Sequence, residues 1–305
     1  MSGNHAEEAT RRLSVIILTY NEQANLPACL ESLRGLDCEL FVVDSGSTDQ
    51  TVPIAKASGA HVVEHPFDNY AVQRNWAQQN LPIRSQWLLH LDADERLTPE
   101  LVMEINQMLQ EPLQEIDGFL LRKRTIFMGK WIRHGGQYPS YHLRLFRRGR
   151  GLCEDRLYDQ HFLVNGRVGR LNHDHIDVLT SDLGTWTLRH TRWAELEARE
   201  IMSVQNGGRR VRPSLLGDPI ERRRWLREAL YARSPLFTRA FLYWFYRYFV
   251  RLGFLDGKEG LIFHFLQGCW YRFLVDIKLD EFRRQGSSER AGEGLTSERD
   301  ESSRG

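Results

Sequence analysis

The residues best suited to chemistry are Asp92 and Asp94, which close the stretch WLLHLDADE from Trp87 to Glu95 with one small residue between them. Strand-forming residues give way there to a cluster of carboxylates, whose mutual repulsion and desolvation are costly unless a cation or solvent compensates. At a strand end beside a cleft, Asp92 and Asp94 can both face one divalent cation. Oxygen ligands favour Mg²⁺ or Mn²⁺, which bind through one or two carboxylates while bridging substrate phosphates. The same residues also suit a solvated strand-to-helix turn, with Thr98 as cap, Pro99 in the first helical position and Glu100 favouring the helix N-terminus.

The order of elements before this stretch decides how it is read. SVIILTYNE, from Ser14 to Glu22, is a continuous apolar run of the kind found in a strand buried on both faces, ending in polar residues. Leu26, Cys29, Leu30 and Leu33 follow at helical spacing. A second strand, ELFVVD, ends in Asp44 and runs into the turn-forming SGSTD, where Asp49 can start a helix holding Val52, Ile54 and Ala55. HVVEH, from His61 to His65, reads as a third short strand. Strands alternating with helices imply right-handed βαβ units and a mostly parallel sheet.

Ligands of such sheets bind beyond the carboxyl ends of the strands, and those ends carry Thr19 to Glu22, Asp44 to Ser47 and Asp92 to Glu95. Thr19, Tyr20, Glu22, Asp44 and Ser45 are therefore the candidate ligand-binding residues of the first two ends. Asp44 can accept hydrogen bonds from a nucleoside while Asp92 and Asp94 hold a metal on its diphosphate. A turn or helix cap would also explain Asp44.

VIILTYNE, VVDSGSTDQT and LDADE, in that order, resemble the family 2 glycosyltransferases with the GT-A fold. FMGKWIRHGG, HLRLFRRG, EDRLYDQHF and RHTRWAELEA further resemble the bacterial subgroup that builds lipopolysaccharide cores and exopolysaccharides. The resemblance implies an α/β GT-A fold, a mostly parallel sheet flanked by helices. It also implies transfer of a sugar from a nucleotide diphosphate donor, with a UDP-sugar expected, and inversion at the anomeric carbon. Tyr20, Glu22 and Asp44 would then surround the base and ribose, and Asp92 and Asp94 would form the DxD motif with Mn²⁺ or Mg²⁺.

The chemistry asks for a second acid. Breaking a sugar–diphosphate bond develops oxocarbenium character at the anomeric carbon and charge on the departing diphosphate. Inversion needs a carboxylate to take the proton of the attacking acceptor hydroxyl. Glu154, Asp155 and Asp159 in CEDRLYDQH are the candidates; Asp159 is preferred on the resemblance and Asp155 comes second. The sequence departs here from the His-Glu pair of the lipopolysaccharide-core relatives, since Tyr158, Asp159 and Gln160 stand in that region. Each of these acids would also suit a loop ion pair with Arg156 or Arg147. His161 is a candidate further metal ligand or substrate contact, and equally a solvent-exposed loop histidine.

In RHTRW, Arg192 is the expected diphosphate contact, although Glu195, Glu197 and Glu200 lie within helical salt-bridging reach. Trp131, His134 and Gly135-Gly136 suit either a mobile acceptor loop or an ordinary turn beside a packed aromatic.

A chain of 305 residues is long enough for one large α/β domain with an appendage, here read as a catalytic domain over 13–200 and a basic amphipathic helical region over 201–283. Residues 1–12 and 284–305 read as disordered. Net charge is +1, yet Arg189 to Arg251 holds 14 arginines against six acids. Without an RNA-binding signature this basic stretch excludes nucleic acid as the expected partner and favours an anionic membrane surface. Within Ser234 to Leu255, Phe241, Phe245, Phe249 and Leu252 share one helical face and Arg239, Arg247 and Arg251 another. The arginines interrupt the run before the ~20 apolar residues needed to span a bilayer, so the helix is expected to lie on the membrane. A second helix from Gly260 to Leu279 would dock beside it. Packing on the catalytic domain or on a second subunit is the other use of such helices, so the oligomeric state stays open.

The four cysteines show no zinc or redox spacing, and MSGNHAEEATRR lacks the apolar core of a signal peptide, which implies a cytoplasmic enzyme at the inner face of the membrane. Its acceptor would be a saccharide or lipid-linked saccharide. A nucleotidyltransferase should have a glycine-rich basic loop where TYNEQANLP stands, and a dinucleotide oxidoreductase needs G-x-G-x-x-G. A non-catalytic membrane adaptor on the same fold is the remaining alternative.

Overall fold

Seven consecutive buried residues, LSVIILT, make strand β1 (Leu13–Thr19) the axis of the structure. A strand buried on both faces must be covered by layers on both sides, and alternation sorts its side chains between them. Val15 and Ile17 pack with helices α1 (Leu26–Ser32) and α4 (Pro99–Gln110), while Ile16 and Leu18 pack with α3 (Tyr70–Asn80). The computed structural model describes residues 12–111, 115–179, 182–203 and 210–285. Residues 286–305 of the tail expected over 284–305, and residues 1–11 of the expected disordered N-terminus, lie outside the described residues; Arg284 and Gln285, placed in that tail, instead continue the last helix.

The first half is a parallel unit. β2 (Cys38–Asp44), helix α2 (Thr51–Ala57), β3 (His61–Glu64) and β4 (Trp87–Asp92) give the order β3-β2-β1-β4, with all three pairings parallel. Thr19 pairs with Asp44 and Leu18 with Asp92, so three polar strand ends come out at one edge. The second half is mixed. β5 (Glu95–Leu97), β6 (Gly118–Phe127), β7 (Lys130–Ile132), β8 (Ser140–Arg147) and β11 (Val168–Leu179) extend the sheet as β4-β8-β6-β11-β5, while β7 pairs with β6 and β9 (Gly151–Cys153) with β10 (Phe162–Val164) in a hairpin. β8 runs antiparallel to both neighbours, and β5 antiparallel to β11.

Helix α5 (Leu183–Met202) begins at Asp182, whose side chain accepts the Thr185 N–H. Helix α6 (Pro219–Leu226) begins with a capping box between Asp218 and Glu221. The long helices expected from the sequence occur in pieces. α7 (Thr238–Phe245) passes into a π-helical turn at Tyr246–Val250 and stops at Leu252, which has φ +60°. α8 (Gly257–Phe265) passes through a second π-helical turn, Leu266–Trp270, into a helix over residues 271–285. Tyr271, Val275 and Leu279 pack against Ala194 and Ala198 of α5, and Phe263 against Phe127 and Ile132.

The expected separation of the two sets holds for Arg239 and Arg247, and the structure adds which side each set takes. Arg239 and Arg247 face inward: Arg239 Nε donates to Asp276 at 2.8 Å, and Arg247 donates to the Gly135 carbonyl at 3.0 Å and to Gln137 at 2.8 Å. Phe241, Phe245, Phe249 and Leu252 are each about half exposed. Internal acceptors for the guanidinium groups leave the apolar side chains to cover the outside.

Candidate active site

The first two strand ends are fastened to each other. Asp44 is buried and accepts from Thr19 Oγ1 at 2.8 Å, Ser47 Oγ at 2.6 Å, and the Gly46 and Ser47 N–H groups at 3.0 and 2.7 Å. These fill the four acceptor positions of a carboxylate, so a nucleoside reaches Asp44 only if one donor gives way. The turn needs a left-handed residue, supplied by Gly46 at φ +85°. Asn21 exchanges hydrogen bonds with Ser47 and Thr48, and Gln23 with Asp49 and Gln50. The Ser45 N–H donates to the Thr19 carbonyl, and its hydroxyl accepts from Gln73. Above this clamp the Tyr20 ring is 61% exposed, an apolar plate that no packing requirement explains. Glu22 accepts from Asn25 at 2.7 Å; burial raises its carboxyl, opposed by Asn25 and by the charge of Arg189.

At the third strand end the carboxylates are treated unequally. Asp92 is met by Arg74 at 2.9 and 3.1 Å and by Arg144 at 2.8 Å. Burial works against its ionisation, but the two guanidinium groups prevail and hold the carboxyl far below the usual range. Arg144 also reaches Glu95 at 2.6 Å, and Glu95 accepts the Asp92 N–H at 3.0 Å. Lys123 pairs with Asp177 at 2.8 Å. Asp94, by contrast, has no hydrogen bond or ion pair to its carboxylate among the described residues. Burial and then the charges of Asp177, Asp92, Glu95 and Glu22 push its carboxyl well above the ordinary range.

That arrangement fits a divalent cation bound partly by a ligand. Among the described residues no three His, Cys, Asp or Glu side chains form a ready-made cage. Mg²⁺ and Mn²⁺ nevertheless bind through one or two carboxylates with phosphate oxygens and water completing the shell. Asp94 is the carboxylate that lacks a cation, with Asp92 beside it already shared by two arginines.

The acids of the 154–161 segment divide by environment. Glu154 is fully buried and holds the His161 and Val211 N–H groups and Arg224, which is a structural role. Asp155 is exposed. Asp159 sits at φ +56° and accepts from Arg227 at 2.9 Å, with His161 at 3.6 Å. The Asp159 side chain is 39% exposed, and although its partial burial opposes the charge, His161 and Arg227 lower its carboxyl below the ordinary range. The His161 ring lies 6.0 Å from that of His142, which lies 6.0 Å from His175 beside Glu95. His161 thus joins Asp159 to the carboxylate cluster through two further imidazoles, and its own partner is Asp159.

Arg192 is exposed on α5. Arg189, one turn earlier, is the arginine whose charge acts on Glu22 and on Tyr70. Arg74, Arg144, Lys123 and Tyr70 were not singled out from the sequence, and Arg189 was named only as the second guanidinium of RHTRW, behind Arg192. Arg144 and Lys123 carry a usable signal, a charge inside an apolar strand run, whereas Arg74 lies in a polar helix where nothing marks it. The loop at His134 to Gly136 is held rather than free: His134 Nδ1 lies 2.7 Å from Asp256, and Arg247 binds the Gly135 carbonyl.

Residues 14–159 match the model of glycosyl transferase family 2. An uncharacterized glycosyltransferase of Rickettsia bellii is 37% identical over 110 residues, 36% of this chain and 37% of that protein. The match thus spans little more than a third of that relative's length. The lipopolysaccharide core biosynthesis glycosyltransferase LpsC of Rhizobium meliloti is 28% identical over 83% of this chain and 89% of its own. Among solved structures, the mannosyltransferase PcManGT of Pyrobaculum calidifontis, in complex with GDP-Man and Mn²⁺, aligns with a TM-score of 0.47 at 16% identity, covering 88% of this chain and 87% of that one.

Proposed function

We propose, from the match of residues 14–159 to the model of glycosyl transferase family 2, that the protein moves a sugar, with inversion, from a UDP-sugar to a saccharide or lipid-linked acceptor in lipopolysaccharide or exopolysaccharide synthesis. The likeness to LpsC over most of both chains supports the acceptor class. The observation that carries the reading is Asp94: a carboxylate at the strand ends, surrounded by acids and without a cation of its own. A divalent ion held by Asp94 and Asp92 would offset the charge that grows on the departing diphosphate.

The chain's own residues supply the rest. Tyr20 offers a face on which a base can stack, the clamp between residues 19–23 and 44–51 fixes the wall beside it, and Arg189 with Tyr70 faces the same space from α5 and α3. Asp159, kept ionised by Arg227 and His161, takes the proton of the acceptor hydroxyl as it attacks. The half-exposed apolar side chains of α7 and α8 rest on the cytoplasmic face of a membrane, where lipid-linked acceptors are presented. No helix among the described residues is long and apolar enough to cross one.

Calorimetric titration of UDP, GDP and CMP with and without Mn²⁺, against the wild type and Asp94→Asn, tests this. Metal-dependent binding of UDP that disappears in the variant is the expected result. Folded protein that binds no nucleotide under any metal condition is not a transferase, and the adaptor reading replaces it.

A further inference from the structure

The strands that carry the carboxylate cluster have a second face. Lys123, His175, Asp177 and Glu95 project to the side described above, so their neighbours Arg122, Arg124, Asp174, Ile176 and Arg96 project to the other. On that side α1, the turn into α4, and Trp131 and Tyr138 line a solvent-open cavity of about 690 Å³. This is within the ~300–1,000 Å³ of typical small-molecule sites.

Its floor has more donors than acceptors. Asp174 is the one buried carboxylate of the lining, and it already takes Arg122 at 3.1 Å, Arg124 at 2.7 Å and the Tyr138 hydroxyl at 3.0 Å. Arg96 makes no ion pair among the described residues. Arg96 Nε, Arg124 Nε and Trp131 Nε1 are buried N–H groups without an acceptor. Glu31 and Glu100 also border the cavity, but both are exposed at its rim, and Glu31 is engaged by Arg34 at 2.9 Å. Arg122 and Arg124 therefore share one carboxylate, and Arg96 has none among the described residues. Buried donors without partners are costly, so the complement is a ligand rich in acceptors and negatively charged.

We propose that this cavity is a binding site for an anionic saccharide, a sugar bearing a carboxylate or a phosphate, separate from the transfer site across the sheet. The charged group meets Arg96 and Arg124, and ring hydroxyls accept from Trp131 Nε1 and the remaining guanidinium N–H groups. A neutral sugar leaves the charge unmatched; a bare phosphate leaves the indole N–H and most of the volume unused.

Saturation-transfer NMR and calorimetry on the full chain would use glucuronic acid and glucose 6-phosphate as probes, with glucose and inorganic phosphate as controls. Both anionic sugars are expected to bind at least tenfold more tightly than either control, undisturbed by saturating UDP and Mn²⁺. Arg96→Gln, which breaks no ion pair among the described residues, should weaken them about tenfold, as expected for losing one charge-assisted hydrogen bond. Trp131→Phe, which keeps a ring and removes the N–H, should weaken them several-fold. The proposal is overturned if neither sugar binds, if UDP displaces them, if both variants bind as the wild type does, or if phosphate binds as well as glucose 6-phosphate. None of these outcomes bears on whether the opposite face transfers sugar.

Discussion

The Arg74 guanidinium meets both oxygens of Asp92, at 2.9 and 3.1 Å, from a helix that joins no strand pairing with β4. Arg144 takes one of the same oxygens from the other side. Asp92 is thus fixed by protein cations before any ligand arrives. Arg74→Gln should lower stability by about 2–3 kcal/mol, below the usual cost of breaking a buried pair because Arg144 remains. Urea unfolding measures this; a midpoint equal to wild type at unchanged slope would show that the pair contributes nothing.

Asp94 has the opposite status, and its replacement should act in the opposite direction. Asp94→Asn removes a charge that burial, Asp177, Asp92 and Glu95 all oppose, so the ligand-free protein should gain about 0.5–2 kcal/mol, the range of other substitutions that relieve functional strain. The same variant should lose Mn²⁺-dependent UDP binding. Thermal unfolding with and without Mn²⁺ and UDP separates the two effects, and a variant both less stable and still metal-responsive would contradict the assignment.

The parallel half of the fold was legible because its strands are apolar runs with polar ends, a pattern set by burial on both faces. β1 and β4 occupy the stretches their composition marks, and Asp44, Asp92 and Asp94 stand at the strand ends expected of them. The polarity of α7 was not legible. Helical periodicity separates arginines from phenylalanines without saying which set faces the protein, and that is decided by Asp276 and the Gly135 carbonyl, distant in sequence. Arg74 was hidden for the same reason: its partner Asp92 lies across the fold, and no local pattern announces a helix arginine that will be buried.

His264 offers a pH-dependent test of how the C-terminal helices dock. It is fully buried between Gly135 and Gly253, where a Cβ on either glycine would come within 2.1 or 2.6 Å of the ring. Burial, then the charge of Arg247, lowers the imidazolium pKa to about 4, against the opposing pull of Asp256. A folded-state value below the unfolded 6.5 means that stability is fully present above pH 6.5 and lost as pH falls towards 4. The loss should be roughly 2–3 kcal/mol over that interval, and His264→Gln should flatten it. Chemical denaturation at pH 7, 6, 5 and 4 gives the slopes; parallel curves for the two proteins would remove His264 from the account.

The two candidate bases should separate kinetically. Both side chains are exposed, but Asp159 is anchored by Arg227 and His161 while Asp155 has no side-chain partner among the described residues, so Asp159→Asn should reduce kcat by about 10²–10⁴, the usual range for a general base, with little change in donor KM. Asp155→Asn should stay within a few-fold of wild type. Steady-state transfer assays with matched circular dichroism decide it, and the reverse ranking would move the base to Asp155.

The exposed aromatic face of α7 makes the membrane reading quantitative. Phe241 and Phe245 are 53% exposed and Phe249 is 45% exposed, so inserting each ring would bury the half of its surface still in water. At roughly 1.5–3 kcal/mol for burying a whole Phe side chain, that is about 1 kcal/mol per ring. Replacing all three with serine should therefore weaken binding to anionic vesicles about a hundredfold, while urea unfolding changes little because the rings are already half in solvent. Added salt should weaken the wild type only modestly, since Arg239 and Arg247 are committed to internal partners and the apolar term dominates. Vesicle flotation at increasing salt reads both effects. Binding that survives the triple substitution but collapses with salt would assign attachment to the exposed arginines instead of the aromatic face.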